Sequence, residues 1–349
     1  MSKAKGMVQK MKALQKLKKS SKLKLVEVNK PVIKPNEILI KVWATGVCGS
    51  DILIEDDKHF NKPPVTLGHE FSGEAVEIGK DVKHFVKGDH IVGNIETETG
   101  WLGVSIDGSY APYMSIPGYC AFKVPKTLNM DYAALVEPIV AIIHIMQERT
   151  CVNPSDVVTI VGPGPMGLIG VQCAQISGAS TIILIGLKED EQRLKIGKDM
   201  GADHILYSDE NPEKAVMELT DGRGSDFVLE CAGAKVGNNI VGVQHAIDCA
   251  RRAHEGPGGK GTIAFISLWG DPITITADEI SLGQMNICGC WSWNGPESWR
   301  RAIDMVVKGF FNFEPLITNR YSLEEWEIAF KNLRTKKDLK ALIYPNFSD

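Results

Sequence analysis

The sequence predicts an α/β chain of two domains, one β-rich and irregular and one built on a doubly wound parallel sheet. Three observations lead there. The 349 residues suggest about two domains at roughly 150 residues each. Residues 31–125 hold short apolar runs separated by Gly, Pro and Asp. After Ser155, continuous β-branched runs alternate with helical stretches, the pattern of a parallel sheet covered on both faces.

The elements follow in order along the chain. Residues 38–43 and 91–92 are typical of strands in the β-rich part. The parallel sheet is predicted from the apolar runs 157–161, 181–185, 227–229 and 262–266. A helix over 299–308 and a final strand over 341–344 follow. We place the domains at 1–153 and 154–295. Residues 296–349 are too few for a separate domain and should return to the first.

Composition excludes several classes of protein. Apolar residues make up 44% and charged residues 23%, which excludes a disordered chain, a collagen and a coiled coil. A net charge of −4 gives no overall attraction to nucleic acid or membrane. Residues 1–24 hold nine lysines and no acid; a basic arm could bind an acidic surface, but we favour a solvated, partly frayed terminus.

The lack of a recognisable targeting signal and the pattern of cysteines favour a cytoplasmic location. The lysine-rich start has no apolar core of a signal peptide and no Arg, and the longest apolar runs are interrupted by polar residues. Eight cysteines with wide, irregular spacing differ from a disulfide scaffold. We therefore expect a cytoplasmic protein with neither nucleic acid nor membrane as a partner.

A glycine-rich motif follows the first predicted parallel strand. Its glycines are Gly162, Gly164 and Gly167, with Pro165 and Met166 between the last two, and a helical stretch begins after them. Glycines at these positions permit a tight turn, close approach of a pyrophosphate and close helix packing. The helix N-terminus then presents free N–H groups to the phosphates. The alternative is a plain glycine-rich turn; we favour a dinucleotide site.

The end of the second parallel strand should select between NAD and NADP. Gly186 stands there, where an acid would bind the ribose 2′-OH. A glycine would leave room for a 2′-phosphate, with Lys188 or Arg193 to pair with it. Glu189 and Asp190 could instead hold the ribose. We expect NAD(P), with a slight preference for NADP.

Cys48 and His69 form a second candidate site. A thiolate and an imidazole are good Zn²⁺ ligands, at about 2.3 and 2.0–2.1 Å. Alone, the two could be unrelated core residues. Their flanks, residues 46–51 and 64–73, together with Gly88-Asp89 and the glycine motif, resemble the zinc-dependent medium-chain alcohol and polyol dehydrogenases. The resemblance runs over nearly the whole chain and is closest to the sorbitol (iditol) and threonine dehydrogenase branch. It implies a GroES-like catalytic domain and a Rossmann cofactor domain.

The resemblance also implies metal ligands. Cys48 and His69 correspond to catalytic zinc ligands, and Glu70 to a direct or near ligand. Glu137 corresponds to a glutamate that reaches the ion directly or through water. The alternative for Glu137 is an acidic break in a buried helix, where the carboxylate would still need a partner.

Two neighbours complete the implied catalytic set. Asp51 corresponds to a carboxylate that orients the ligating histidine. Ser50 corresponds to a hydroxyl that contacts the substrate oxygen and begins proton transfer.

The sequence departs from the family at two places. No cysteine lies between Gly93 and Tyr119, where the family often has a structural zinc lobe, so we expect one catalytic zinc per chain and no structural zinc. Leu53 stands where a relay histidine often lies. Proton exit must then use the ribose, water or another group such as His59.

These residues predict a zinc-dependent oxidoreductase that transfers a hydride between a secondary alcohol or polyol and NAD(P), reversibly to the ketone. An amino alcohol such as threonine is an alternative substrate. Alternatives of another class are a zinc-free alkene or quinone reductase, against which Cys48, His69 and Glu70 argue, and a non-catalytic nucleotide-binding protein, against which Ser50 argues.

The remaining predictions concern one histidine, two cysteines, an edge strand and three tryptophans. We expect His144 to be a core residue, and Cys288 and Cys290 to pack on a sheet strand. Residues 287–293 form an apolar edge strand that invites pairing into a homodimer or homotetramer, the alternative being a covered edge in a monomer. Candidate pocket-lining residues are Trp101, Trp291 and Trp293.

Overall fold

The computed structural model of the chain describes residues 9–233, 241–252, 260–269, 272, 275–291 and 295–346. It divides into unit 1, Met1–Glu137 with Ile317–Asp349, and unit 2, Pro138–Leu316. The strands are β1 (Lys10–Lys16), β2 (Lys24–Asn29), β3 (Glu37–Gly46), β4 (Val65–Thr66), β5 (Glu70–Ile78), β6 (His90–Gly93), β7 (Glu96–Thr97), β8 (Gly100–Trp101), β9 (Tyr113–Pro117), β10 (Ala121–Val124), β11 (Val157–Val161), β12 (Thr181–Gly186), β13 (His204–Tyr207), β14 (Phe227–Glu230), β15 (Thr262–Phe265), β16 (Asn286–Gly289), β17 (Ile317–Ser322) and β18 (Lys340–Tyr344).

The helices are α1 (Gly49–Glu55), α2 (Met130–Ala133), α3 (Val136–Ile143), α4 (Pro165–Ile176), α5 (Glu191–Asp199), α6 (Pro212–Leu219), α7 (Val241–Cys249), α8 (Ala277–Gly283), α9 (Pro296–Val307) and α10 (Trp326–Arg334). A π-helix, His144–Arg149, continues α3. Short 3₁₀ helices cover Gly118–Cys120, Lys188–Asp190 and Leu323–Glu325. No helix within the described ranges has the length and apolar character to cross a bilayer.

Unit 1 is built on a seven-stranded sheet of order β10-β6-β5-β3-β18-β17, with β9 also paired to β3. Its register places Gly46, at the end of β3, opposite Glu70 of β5 and Leu342 of β18. The end of β3, the start of β5 and the start of β18 therefore meet. This register brings residues from three distant parts of the sequence to one point.

The lysine-rich N-terminus is ordered where the structure describes it, which corrects the expectation of a frayed terminus for that part. β1 pairs with β2 and β4 in a separate three-stranded sheet. Ala13 and Leu14 are buried in the core, and Lys16 is fully buried. Its ammonium donates to the Glu55 carbonyl at 3.0 Å and pairs with Asp57 at 3.1 Å, which offsets the cost of burying the charge.

Unit 2 is a six-stranded parallel sheet of order β13-β12-β11-β14-β15-β16. The neighbouring strands β11 and β12 are continuous β-branched and apolar runs, and β11 is buried over its whole length. From β11 the chain adds strands β12 and β13 on one side, and from β14 it adds β15 and β16 on the other. A topological switch point therefore lies between β11 and β14. The prediction of a doubly wound α/β sheet beside a β-rich domain is confirmed. β16 is the last strand in the order.

The observed unit boundaries differ from the predicted 153 and 295, because residues 138–153 and 296–316 belong to unit 2. Packing explains the difference. Helix α9 begins at Pro296 and buries Trp299. The Ser298 hydroxyl donates to Glu148 of the π-helix at 2.6 Å, which ties the two added segments together.

Candidate active site

The end of β3 and the start of β5 carry the predicted metal ligands. One ligand atom each from Cys48, His69 and Glu70 lies within 4.8 Å of the other two, the one such group of three or more found among the described residues. His69 and Glu70 are buried, and Cys48 is half-buried at the start of α1. The β3–β5 register produces this group, since Gly46 pairs with Glu70.

The Asp51 carboxylate contacts two members of this group. One carboxylate oxygen accepts from the Cys48 backbone N–H at 3.0 Å and from the Tyr110 hydroxyl at 2.7 Å. The other oxygen faces Nδ1 of His69 at 3.7 Å, beyond hydrogen-bond distance. Burial raises the pKa of the Asp51 carboxyl. Asp51 thus links the backbone of one candidate ligand to the ring of another.

A lysine reaches the site from the C-terminal strand. Nζ of Lys340, at the start of β18, donates to both oxygens of Glu70 at 2.8 and 2.6 Å and to the Val47 carbonyl at 3.1 Å. Both side chains are buried. Burial opposes the charged ammonium, but the Glu70 carboxylate outweighs it, and the pKa of Lys340 is raised. The charge of Glu70 is therefore compensated within the protein.

Glu137 contributes a further buried carboxyl at the start of α3. Burial raises its pKa to about 7, although the positive charge of His69 acts in the opposite direction. Glu137 does not belong to the group of three ligand atoms. It interacts electrostatically with that group, as an additional or water-mediated ligand would.

The donor set fits zinc. Nδ1 of His69 and one oxygen of Asp51 are buried and have no hydrogen-bond partner. Burial lowers the pKa of His69, but Asp51 and Cys48 outweigh it and raise the pKa to about 10. The pocket therefore stabilises positive charge. A sulfur, an imidazole nitrogen and a carboxylate are the ligand types that zinc prefers.

Ser50 and its surroundings lie on α1, directly after Cys48. Ser50 and Leu53 are both partly exposed. His59 follows on the next loop; burial lowers its pKa, and it interacts electrostatically with His69 and Asp51. The His59 ring stacks on Phe60 with centroids 4.3 Å apart, and Phe60 meets Trp101 edge to face at 5.2 Å. The structure thus places His59 and Trp101 within one aromatic cluster.

The dinucleotide motif forms the turn between β11 and α4. Gly162 has φ of +108°, and a Cβ on it would meet the backbone of Ala232 at 2.7 Å. A Cβ on Gly167 would lie 1.9 Å from the Gly162 carbonyl oxygen. Gly164 precedes α4, and Pro165 is its first residue. The turn matches the geometry that the motif predicts, with a helix N-terminus at the crevice.

Gly186 ends β12 and is closely packed. A Cβ on Gly186 would meet the Pro163 ring at 2.8 Å and Leu194 at 3.0 Å, so packing alone requires a glycine at this position. Lys188 pairs with Glu210 at 2.8 Å and with Asp209 at 3.5 Å.

Three further residues near this strand end are candidates for holding the ribose or a phosphate. Glu189 is exposed, Asp190 is buried and Arg193 is half-buried. Of the two acids, Glu189 is therefore the more exposed residue.

Other predicted residues lie outside these sites. His144 is not a core residue: it is partly exposed on the π-helix and pairs with Glu148, four positions further along the chain, at 3.0 Å. Arg149 donates to the Cys288 sulfur at 3.1 Å, and Cys290 follows the end of β16. Trp291 is 38% exposed. Trp293 lies outside the described residues.

Sequence reasoning missed Lys340 and Tyr110. Lys340 and Glu70 are separated by 270 positions, and Tyr110 and Asp51 by 59. In the sequence, Lys340 directly precedes the apolar run 341–344, a position from which a lysine could equally reach solvent. Only the strand register places it beside Glu70.

Family models match both units. The family model described as "Alcohol dehydrogenase GroES-like domain" matches residues 34–126, and that described as "Zinc-binding dehydrogenase" matches residues 165–308. Sorbitol dehydrogenase of Halalkalibacterium halodurans is 32% identical over 91% of this chain and 94% of its own length. L-Threonine 3-dehydrogenase of Thermococcus kodakarensis is 32% identical over 97% of this chain and 99% of its own.

Solved structures agree with the fold. A protein described as a zinc-binding dehydrogenase from Sinorhizobium meliloti 1021, solved with NADP, has a TM-score of 0.84 and is 26% identical, covering 97% of this chain and 100% of its own. 2R,3R-Butanediol dehydrogenase of Bacillus subtilis has the same TM-score at 24% identity, over 96% of this chain and 100% of its own, a likeness of fold alone.

Fold and site together define a dehydrogenase that uses zinc and a nicotinamide dinucleotide. The chain belongs to the zinc-dependent medium-chain alcohol and polyol dehydrogenases. It is an NAD(P)-dependent oxidoreductase of alcohols or polyols and acts on small molecules.

Proposed function

We propose that a secondary alcohol or polyol is oxidised to the ketone at the group formed by Cys48, His69 and Glu70. The observation that supports this most directly is the approach of these three ligand atoms to within 4.8 Å in a buried pocket. Bound zinc would supply a Lewis acid that eases loss of the hydroxyl proton, and bound NAD(P) a hydride acceptor.

We propose the following division among the ligands. Cys48 and His69 bind the zinc ion, and the Glu70 carboxylate lies close to both of these ligands. Although Glu70 lies in the group of three ligand atoms, Lys340 binds both of its oxygens, so the Glu137 carboxyl takes the further position, directly or through water. Zinc retention then depends more strongly on Glu137 than on Glu70, and comparison of Glu137→Gln with Glu70→Gln distinguishes the two.

Ser50 and Asp51 serve the ligand group in this proposal. Ser50 is partly exposed beside Cys48 and accepts the substrate proton. Asp51 holds the Cys48 backbone and faces the His69 ring, so it keeps both ligands in place. Since Leu53 on α1 cannot carry a proton, His59 or water would take the proton onward from Ser50, and a bound NAD(P) would offer its ribose hydroxyls as a further route.

Steady-state kinetics with and without a strong zinc chelator test this function. A panel of secondary alcohols, polyols and L-threonine is assayed for oxidation, with an activated alkene and a quinone assayed for reduction. We expect oxidation of a secondary alcohol or polyol that chelation abolishes and zinc restores. Alkene or quinone reduction unaffected by the chelator would contradict the proposal.

L-Threonine is the second candidate substrate. The similarity to L-threonine 3-dehydrogenase of T. kodakarensis equals that to the sorbitol enzyme, 32% identity in both. A kcat/KM for threonine above that for every other alcohol in the panel would favour this alternative.

We also propose that the protein forms a homodimer or homotetramer and that it lies in the cytoplasm. We propose further that it slightly prefers NADP to NAD. β16 ends the sheet order, and Ile287 on it is 38% exposed, which offers an edge to a second copy. None of the eight cysteines, all of them among the described residues, is joined in a disulfide, as expected in a reducing compartment. Gel filtration showing a monomer at low concentration would contradict the assembly.

A further inference from the structure

The switch point between β11 and β14 has two walls. One is the glycine turn at Gly162, and the other is the segment that follows β14, residues 231–233. The backbone N–H of Cys231 donates to the Val161 carbonyl at 3.0 Å, so the two walls begin at the same level of the sheet. Ligands of open α/β sheets bind in the crevice at such a point.

The two walls touch. A Cβ on Gly162 would lie 2.7 Å from the Cα and the backbone nitrogen of Ala232. The Cys231 sulfur lies 3.7 Å from the Gly162 carbonyl oxygen. Because Ala232 packs where Gly162 lacks a side chain, a displacement of Ala232 would alter the turn that approaches the pyrophosphate.

A buried carboxylate fixes the second wall. Glu230, the last residue of β14, is fully buried. Its Oε1 accepts from the backbone N–H of Ala232 at 2.9 Å and of Gly233 at 3.0 Å. Its Oε2 accepts from the hydroxyl of Ser267, two residues after the end of β15. One side chain thus joins the carboxyl ends of two neighbouring strands to the segment that contacts Gly162.

We infer that Glu230, together with Ser267, is a positioning residue for the dinucleotide: it holds residues 231–233 against the glycine turn and so keeps the crevice in shape for NAD(P). This inference rests on the use of NAD(P) described above. Glu230 itself is enclosed and does not contact the cofactor in this account. Its effect passes through Ala232 to Gly162.

Calorimetric titration with NADPH and NADH tests the inference, with zinc content and melting temperature measured on each variant. We expect Glu230→Ala to raise the Kd at least tenfold, because two amide N–H groups lose their acceptor. Ser267→Ala should raise it about threefold, since one hydrogen bond is lost. Zinc content should not change, because the metal ligands lie in unit 1.

Two variants serve as controls. Glu230→Gln keeps an oxygen for both N–H groups and an amide donor for Ser267, so its Kd should stay within about twofold of wild type. Ser225→Ala removes a buried hydrogen bond of 2.6 Å to Thr159 near the amino end of β14 and should lower the melting temperature without changing the Kd.

The outcomes are separable. An unchanged Kd in Glu230→Ala, or an equal rise in Ser225→Ala, would overturn the inference and leave a purely structural role. If Glu230→Ala does not fold, Ser267→Ala decides by the same criterion. A wild-type protein that binds neither nucleotide would contradict the cofactor assignment itself.

Discussion

The candidate metal site of unit 1 is assembled from charged side chains, whereas the dinucleotide turn of unit 2 is assembled from backbone. In unit 1, Glu70 and Lys340 are buried together, and Asp51 faces His69. In unit 2, the turn depends on positions without side chains, such as Gly167, where a Cβ would collide with backbone. Charged groups make a site sensitive to the loss of a partner, and glycines make it sensitive to added atoms.

The largest effect should come from removing a candidate ligand. His69→Asn should lower kcat/KM for alcohol oxidation by about 10³ or more, because a Lewis acid contributes several kcal/mol and each 1.36 kcal/mol is tenfold. The Kd for NADPH should not change, since the glycine turn lies in unit 2. A variant that keeps more than a tenth of the activity would show that the charged site is not the reaction centre.

Breaking the buried ion pair should come next. Lys340→Met leaves Glu70 buried without its cation and should destabilise the protein by about 3 kcal/mol, as urea denaturation would measure. The double variant Lys340→Met/Glu70→Gln, in which neither charge is left alone, should recover most of this loss. If the single and double variants have the same free energy of unfolding, the charges of Lys340 and Glu70 do not stabilise each other as their geometry indicates.

Two glycines of the same turn should respond differently to alanine. Gly167→Ala places a Cβ 1.9 Å from the Gly162 carbonyl oxygen and should cost about 2 kcal/mol of stability. A Cβ on Gly164 meets nothing within 4 Å, so Gly164→Ala should keep the wild-type melting temperature. It should nevertheless weaken NADPH binding about tenfold, because the Cβ obstructs the pyrophosphate. Unchanged NADPH affinity in Gly164→Ala would contradict this assignment.

The smallest effect concerns cofactor choice. Lys188 is exposed and already pairs with Glu210, so its substitution should leave stability unchanged. If Lys188 also binds a 2′-phosphate, Lys188→Ala should lower kcat/KM for NADP about tenfold, because one charge-assisted hydrogen bond is lost. The kcat/KM for NAD should stay unchanged. Equal changes with both cofactors would remove the basis for preferring NADP.

The two regions also differ in how far the sequence predicts them. The glycine motif is contiguous, so its strand, turn and helix could be predicted together, and Gly162 and Gly167 have the expected geometry. Cys48, His69 and Glu70 were found through their flanking residues. Lys340 could not be, because its contact with Glu70 depends on the register of β3, β5 and β18.

Other contacts could not be predicted for the same reason. Glu230 occupies a strand end that looks apolar in sequence, and its partners are backbone N–H groups that no residue type reveals. The prediction that Gly186 leaves room for a 2′-phosphate stands as a prediction, but the sequence could not show that the Pro163 ring packs against this glycine. Local patterns thus predict strands and turns, and tertiary packing decides what each side chain meets.

Zinc analysis of the purified wild-type protein and of Cys48→Ser, combined with NADPH titration of both, tests the central claim most directly. We predict about one zinc per wild-type chain, since one ligand group was found among the described residues, and a large loss of zinc in Cys48→Ser. The Kd for NADPH should be the same in both proteins. Zinc retained at the wild-type level in Cys48→Ser would contradict the account.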